Sequence, residues 1–140
     1  MEPTCLMLRN ELPELKRLGE WVQTWTHADA PHVSHAVQLC LEEAVSNIVM
    51  YGADIGNSLD ISVELERNGE ALVARIEDNG RPFDPTRASP PTLAASLEEA
   101  KVGNLGIALM RSFATEMKYE RRLGRNRLTL RFRDQHFSAA

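Results

Sequence analysis

Residues 41–47 of this chain read LEEAVSN, inside a stretch whose apolar side chains recur at helical spacing. The pattern predicts a helix over residues 31 to about 51. Positions four apart share one helix face, so Glu43 and Asn47 are expected together at the edge of the apolar stripe. The amide of Asn47 offers a carbonyl oxygen suited to Mg²⁺, and the Glu43 carboxylate could accept a proton from a nucleophile. Taken alone, the pair is explained more simply as the solvated flank of a helix.

A second feature follows a predicted β-hairpin. Two runs of alternating hydropathy, residues 59–67 and 71–77, flank an Asn-Gly turn signal. The residues that follow, 78–82, read DNGRP. A strand-end carboxylate such as Asp78 can accept a hydrogen bond from an exocyclic amine like that of adenine, and Gly80 allows a ligand to approach the backbone closely. A plain turn is the simpler explanation of this stretch by itself.

A third feature is the pair of glycines in residues 103–106, GNLG, at the start of a helix predicted over 105–117. Glycines at a helix start expose N–H groups and the positive end of the helix dipole, which suits phosphate. The preceding segment, 78–102, contains four prolines, and segments this long usually form functional lids or disordered loops. We place a lid at approximately 81–102, interrupted by a short helix around 93–101. The chain has no Gly-Lys-Ser/Thr, which excludes a P-loop of the Walker type.

The remaining segments complete the pattern of one domain over residues 1–140. They are a short edge strand at 4–8, an amphipathic helix at 11–26, and two closing strands at 118–123 and 127–133 around a turn at 124–126. This order predicts an α+β fold, a two-layer sandwich with a mixed, mostly antiparallel sheet and helices on one face.

Composition narrows the function classes. Hydrophobic residues make up 43% of the chain and the formal net charge is −4, which predicts a globular protein without a general surface for nucleic acid or anionic membrane. The run 118–133 is basic; solvated strand faces explain it most simply, and a protein-docking role for part of it stays open. Cys5 and Cys40 form no zinc or disulfide pattern. Without a secretory signal or a long apolar run, a cytoplasmic location is expected.

Together, the three features resemble a known family. A helix with Glu-x-x-x-Asn, a strand ending in Asp-x-Gly, a lid and glycines at a helix start occur in that order in the ATPase domain of gyrase, histidine kinases and mismatch-repair ATPases, the Bergerat type. Within that superfamily, residues 41–47, 78–85, 106–110 and 126–130 resemble the anti-sigma factor serine kinases of the RsbW and SpoIIAB type. The resemblance covers roughly residues 30–133.

The resemblance implies ATP and Mg²⁺ as cofactors and assigns their contacts. Asp78 would bind the adenine amino group, Gly80 would allow the turn beside it, and Thr129 would lie near the adenine. The residues expected to line the phosphates are Gly103, Leu105 and Gly106. Lys101 is the residue chosen as the cation beside the phosphates.

The same resemblance implies a reaction and partners. Asn47 would ligate Mg²⁺, and Glu43 would be the general base that activates a serine hydroxyl of a partner protein. Members of this branch phosphorylate a small anti-anti-sigma protein of the STAS type, sequester a sigma factor and usually work as homodimers. The expectation is therefore an ATP-dependent protein serine kinase that acts as an anti-sigma factor in a partner-switching system, with a lid that closes over the phosphates.

Two alternatives remain open at this stage, and a third does not fit the sequence. The chain could be an ATP-binding regulatory module without kinase turnover, which shares every sequence feature above. It could be a sister switch kinase that does not bind a sigma factor. A fragment of a sensor histidine kinase would need a phosphoacceptor histidine on a preceding helix, and the positions of His32 and His35, on the helix that carries Glu43, do not fit that arrangement.

Overall fold

The structure is a computed structural model that describes residues 4–54, 56–87 and 104–133, without the side chains of residues 104 and 105. Its strands are β1 (Thr4–Arg9), β2 (Asp60–Asn68), β3 (Ala71–Asp78), β4 (Glu116–Arg122) and β5 (Arg125–Arg133). Its helices are α1 (Glu14–Trp25), α2 (Pro31–Tyr51) and α3 (Asn104–Phe113), with a 3₁₀ turn at Pro85–Arg87. The predicted short helix at 93–101 and most of the predicted lid lie outside the described residues.

The five strands form one sheet in the order β1-β2-β3-β5-β4, and every described pairing is antiparallel. Hairpins join β2 to β3 and β4 to β5, whereas α1 and α2 connect β1 to β2, and β3 pairs with β5 so that β4 lies at the edge. The register places Asp78 at the end of β3, opposite Asn126 at the start of β5. Two polar side chains therefore meet at one end of the two central strands.

One face of the sheet carries the core. Side chains alternate along each strand, and the inward set packs against all three helices. The largest fully buried side chains include Leu18 of α1, Leu41 of α2, Met110 of α3, and Leu130 and Phe132 of β5. Three helices over one face of an antiparallel sheet confirm the predicted two-layer α+β class.

The other face of the sheet is largely polar. Arg75 at its centre contacts Glu64 at 2.9 Å and Glu66 at 2.7 Å, both on the neighbouring strand. Towards the β4 edge of the same face, Arg131 of β5 contacts Glu116 of β4 at 3.1 Å. The ion pairs on this face form between its own strands. We call it the open face because no described helix packs on it.

Two predicted boundaries were wrong. The third helix ends at Phe113, and Met117 lies in β4 opposite Leu130, because Thr115 donates its backbone N–H to Arg131 and starts a strand. The last turn is Leu123-Gly124, both at positive φ, so β5 begins at Arg125. The predicted turn at 124–126 therefore gives way to a two-residue hairpin loop, which places Asn126 inside a strand.

Among the described helices, none combines the length and the hydropathy needed to cross a membrane.

Candidate active site

The site begins on α2, where the Asn47 side chain is only 9% exposed and borders a cavity. No described residue forms a hydrogen bond with that side chain, so its amide can still bind a ligand from the cavity. Ala44 and Ile48 line the cavity beside it and continue into the core. Asn47 therefore lies at the edge of the apolar stripe, as helical spacing predicts, and forms part of a cavity wall.

The loop after β3 lies against the C-terminal end of α2. The backbone N–H of Arg81 donates to the carbonyl of Gly52 at 2.8 Å. A Cβ on Gly80 would lie 2.7 Å from that same carbonyl oxygen and 2.9 Å from Asp78 Oδ1. Gly80 is thus required by close packing, because any side chain there would push the loop away from the helix.

Asp78 is 4% exposed, and its carboxylate is held at one oxygen. Oδ1 accepts hydrogen bonds from the backbone N–H of Gly80 at 2.8 Å and from Asn126 Nδ2 at 3.1 Å. Within the described ranges no donor reaches Oδ2, so this oxygen keeps its capacity to accept a hydrogen bond. A buried carboxylate with one orienting and one available oxygen is suited to an exocyclic amine.

Asp78 and Asn47 open into the same cavity of about 420 Å³, a size typical of small-molecule sites. Its walls are mostly apolar, which suits a planar base, with polar groups at a few positions. The lining residues are Ala44, Asn47, Ile48, Tyr51, Gly52, Ile76, Asp78, Arg81, Pro82, Phe83, Pro85, Met110, Tyr119, Asn126 and Leu128.

Glu43 lies one turn before Asn47 and meets the start of α3. A Cβ on Gly106 would lie 2.8 Å from the Cδ of Glu43, so the carboxylate occupies the space that a side chain at position 106 would need. The structure thus brings together two features that are 63 positions apart in the sequence. Burial raises the pKa of Glu43, and the charge of Glu42 adds to the rise. A carboxylate with a raised pKa is a stronger base than an exposed one.

Asn126 is a site residue that the sequence reasoning missed. Its side chain is 6% exposed, and besides Asp78 it donates to the carbonyl of Arg81 at 2.7 Å. Its Oδ1 accepts hydrogen bonds from the Tyr119 hydroxyl and from Arg121. The signal was available in the pattern of β5, where Asn126 has the inward parity of the buried residues at 128, 130 and 132. The misplaced turn concealed it.

Thr129 is not brought to the cavity, contrary to its predicted position near the adenine. It pairs with Arg75 on one side and Lys118 on the other, and its parity in β5 places its side chain on the open face. The neighbouring positions 126 and 128 line the cavity instead. Lys101 and Gly103 lie outside the described residues, and Leu105 is described only in its backbone.

The residues present fit a bound nucleotide with Mg²⁺. The described part of the chain has no group of three or more His, Cys, Asp or Glu that could hold a metal by itself. Mg²⁺ prefers oxygen ligands and takes most of them from water and substrate phosphates, so the side-chain oxygen of Asn47 fits as one protein ligand.

Comparison with known proteins agrees with this geometry. A family model described as the histidine kinase-like ATPase domain matches residues 8–132. The chain belongs to this family. The matched range includes the site residues Glu43, Asn47, Asp78, Gly80, Gly106 and Asn126.

One curated relative of this ATPase domain is the serine/threonine-protein kinase BtrW of Bordetella bronchiseptica, which is 41% identical over 92 residues. The alignment covers 66% of this chain and 65% of that kinase, slightly less than two thirds of its length.

Two solved structures share the fold. The histidine kinase domain of the Erythrobacter litoralis EL346 blue-light activated histidine kinase aligns with a TM-score of 0.56 at 13% identity, over 87% of this chain and 60% of that one. The Acinetobacter baumannii histidine kinase AdeS aligns with a TM-score of 0.50 at 11% identity, over 95% of this chain and 68% of that one. At such identities the likeness concerns the fold alone.

Proposed function

We propose that this chain is an ATP-dependent protein serine kinase of a partner-switching system. In this proposal it phosphorylates a serine of a STAS-type anti-anti-sigma protein, sequesters a sigma factor and works as a homodimer. The observation that carries the proposal is the shared cavity, which is lined both by Asp78, whose Oδ2 accepts no hydrogen bond from a described residue, and by Asn47, whose amide has no described partner. The kinase named among the relatives supports the choice of reaction.

Asp78 recognises the base in this proposal. Its Oδ2 accepts a hydrogen bond from the adenine amino group, while Asn126 and the Gly80 N–H hold the carboxylate in position. The apolar walls formed by Ile76, Met110 and Leu128 exclude water from the base. Recognition by a buried acceptor favours adenine over guanine, because guanine presents a carbonyl oxygen at the corresponding position.

Asn47 and Glu43 serve the phosphate end of the site. Mg-ATP supplies the transferable phosphoryl group and the charge neutralisation that phosphoryl transfer requires. Asn47 holds the metal through its side-chain oxygen, and the Glu43 carboxylate takes the proton from the partner's serine hydroxyl. The proposal retains Gly103, Leu105 and Gly106 as the phosphate-lining segment and Lys101 as a cation beside it.

A transfer assay tests the proposal. The purified protein is mixed with Mg-[γ-³²P]ATP and STAS-type proteins of the same organism, and labelled serine is identified. Glu43→Gln is expected to reduce transfer by roughly 10²- to 10⁴-fold, the usual contribution of a general base, while nucleotide binding persists. Asn47→Ala is expected to abolish transfer at the same Mg²⁺ concentration. The matched control is Glu42→Gln, which removes an adjacent carboxylate that contacts Gln38; it is assayed on the pH plateau, where Glu43 is deprotonated and a lower pKa of Glu43 does not change the rate.

Other outcomes identify the alternatives. Nucleotide binding that Asp78→Asn abolishes, without transfer to any partner, would indicate an ATP-binding regulatory module. Transfer without a stable complex with any sigma factor would indicate a sister switch kinase. Failure to bind ATP at all would contradict the site.

A further inference from the structure

The tip of the β4–β5 hairpin, residues 122–125 with the sequence RLGR, has features that the nucleotide site does not use. We call these four residues the hairpin tip. They connect the edge strand β4 to the central strand β5 and belong to the basic run noted in the sequence. None of them lines the cavity described above.

Leu123 in the hairpin tip adopts an unfavourable conformation and is exposed. Its φ of +54° lies in the left-handed region, where a bulky side chain is uncommon, and its side chain is 89% exposed. Two-residue hairpin loops of this kind favour Asn-Gly, since Asn tolerates the first position better than Leu. The chain therefore places a large apolar group in solvent at a position where a small polar residue would suit the fold better.

The two arginines of the hairpin tip add a second unfavourable feature. Arg122 and Arg125 are direct cross-strand partners, and like charges in that position repel each other. Neither forms an ion pair with any residue of the described part of the chain. By contrast, Arg131 of the same run pairs with Glu116, and Arg121 donates to the carbonyl of Gly80 at 2.7 Å.

The residues that flank the hairpin tip in the sequence contact the nucleotide site. Arg121 and Asn126, which immediately flank the tip, both hydrogen-bond to the loop that follows Asp78. By the parity of β4 and β5, Arg122 and Arg125 lie on the open face with Lys118 and Thr129, so a protein bound to the tip would contact the sheet on the face opposite the cavity. No contact of the tip within the described ranges offsets the strain at Leu123 or the repulsion between the arginines.

We propose that the hairpin tip is a docking surface for an acidic patch on the protein substrate, and this proposal rests on the proposed kinase function. Two guanidinium groups that have no ion pair among residues 4–54, 56–87 and 104–133 suit carboxylates, which they can bind in a bidentate manner. An exposed leucine between them suits an apolar depression in a folded partner. A protein fits better than nucleic acid, because the leucine has no role against phosphates and the chain as a whole has a net charge of −4.

The first test measures transfer rate against the concentration of the STAS-type protein, at saturating Mg-ATP. The charge reversal Arg122→Glu/Arg125→Glu is expected to raise KM for the protein at least tenfold, with kcat and the Kd for ATP unchanged. The matched control, Lys118→Glu/Arg133→Glu, makes the same charge change on the same two strands away from the tip and is expected to change KM less than twofold. Equal effects of the two double variants would overturn the proposal, since they would reflect net charge alone.

The second test separates docking from stability. Leu123→Asn is expected to raise the melting temperature, because Asn suits this turn, and to raise KM for the protein substrate at least threefold. A variant that folds better and docks worse is hard to explain by a structural role. An unchanged KM would overturn the part assigned to Leu123.

Direct binding by calorimetry distinguishes failure of this inference from failure of the kinase proposal. Partner binding that depends on the tip, without phosphoryl transfer, would support the docking surface and contradict the kinase. Transfer with a KM insensitive to the tip would support the kinase and overturn the docking surface. Tip-dependent binding of duplex DNA, measured by fluorescence anisotropy, in place of the protein would also overturn it.

Discussion

The central strands β3 and β5 carry polar groups on both faces, and the two faces use them differently. On the covered face, Asp78 and Asn126 are almost fully buried and joined by a hydrogen bond of 3.1 Å. On the open face, Arg75 forms ion pairs with Glu64 and Glu66 and remains partly exposed. Asp78 and Arg75 sit on the same strand, so their surroundings on the two faces distinguish them.

The difference shows where polar residues indicate function. A buried polar group loses its water, and leaving it without a partner costs about 1–3 kcal/mol, so its retention needs a reason. A partly exposed ion pair gains about 0–1 kcal/mol and needs none. The covered-face pair, with its available Oδ2, is therefore the stronger indication of a ligand.

The largest expected effect is the loss of ATP affinity caused by Asp78→Asn. The oxygen of the substituted amide can still accept the Gly80 N–H, but its NH₂ group then faces the proposed adenine amino group. Two donors face each other in that arrangement and cannot form a hydrogen bond. We expect a loss of about 3 kcal/mol, or roughly 100-fold in ATP affinity, measured by titration with a fluorescent ATP analogue.

GTP provides the control for this substitution. Guanine has an acceptor oxygen where adenine has the amino group, so the new amide donor is not expected to weaken GTP binding. An equal loss of affinity for both nucleotides would mean that Asp78 supports the loop and does not read the base.

A smaller effect is expected from Asn126→Ala. The substitution removes a donor to Asp78 and leaves the Arg81 carbonyl without its partner, which should lower the free energy of unfolding by about 1–3 kcal/mol and weaken ATP binding. Urea denaturation and nucleotide titration measure the two effects. The graded control is Tyr119→Phe, which deletes only a hydroxyl that donates to Asn126 and should cost less. Full ATP affinity in Asn126→Ala would show that Asp78 needs no orienting partner.

The sequence was sufficient for the parts of the site that depend on local patterns. Helical spacing predicted that Asn47 lies at the edge of the apolar stripe, and the strand-turn pattern predicted the positions of Asp78 and Gly80. These features are carried by a helix face and a strand end, which adjacent residues determine. The contact between Glu43 and Gly106 was not predicted, because it joins residues 63 positions apart that no local pattern connects.

The sequence was insufficient where side-chain direction depends on the exact start of a strand. The turn predicted at 124–126 removed Asn126 from β5, because glycine and asparagine both favour turns and leucine at positive φ is rare. Thr129 was assigned to the adenine by resemblance, although its parity relative to the buried Leu128 and Leu130 places it on the open face. A shift of one residue in a strand exchanges its two faces.

Glu43 lies between the two extremes of burial, and its pH dependence sharpens the comparison. Burial and the nearby charge of Glu42 raise its pKa. A general base must be deprotonated, so the transfer rate is expected to fall as the pH drops through that pKa. Glu42→Gln removes the like charge and should lower the pKa of Glu43, which moves the acid limb of the rate profile to lower pH. If the pH at which the transfer rate falls is the same in Glu42→Gln as in the wild type, a group other than Glu43 controls the loss of activity at low pH.

The smallest expected effect is the loss of stability caused by Arg75→Met. This substitution breaks both ion pairs of Arg75 and keeps most of its side-chain volume. Because these pairs are partly exposed, the free energy of unfolding should fall by no more than about 1 kcal/mol, and ATP affinity should stay the same. Urea denaturation at low and high salt measures the stability change, since salt screens exposed pairs and should shrink the difference between the variant and the wild type. A loss above about 2 kcal/mol, or any loss of ATP affinity, would break the comparison. The open face would then contribute to the site through β3 itself, and the polar residues of both faces would need a common explanation.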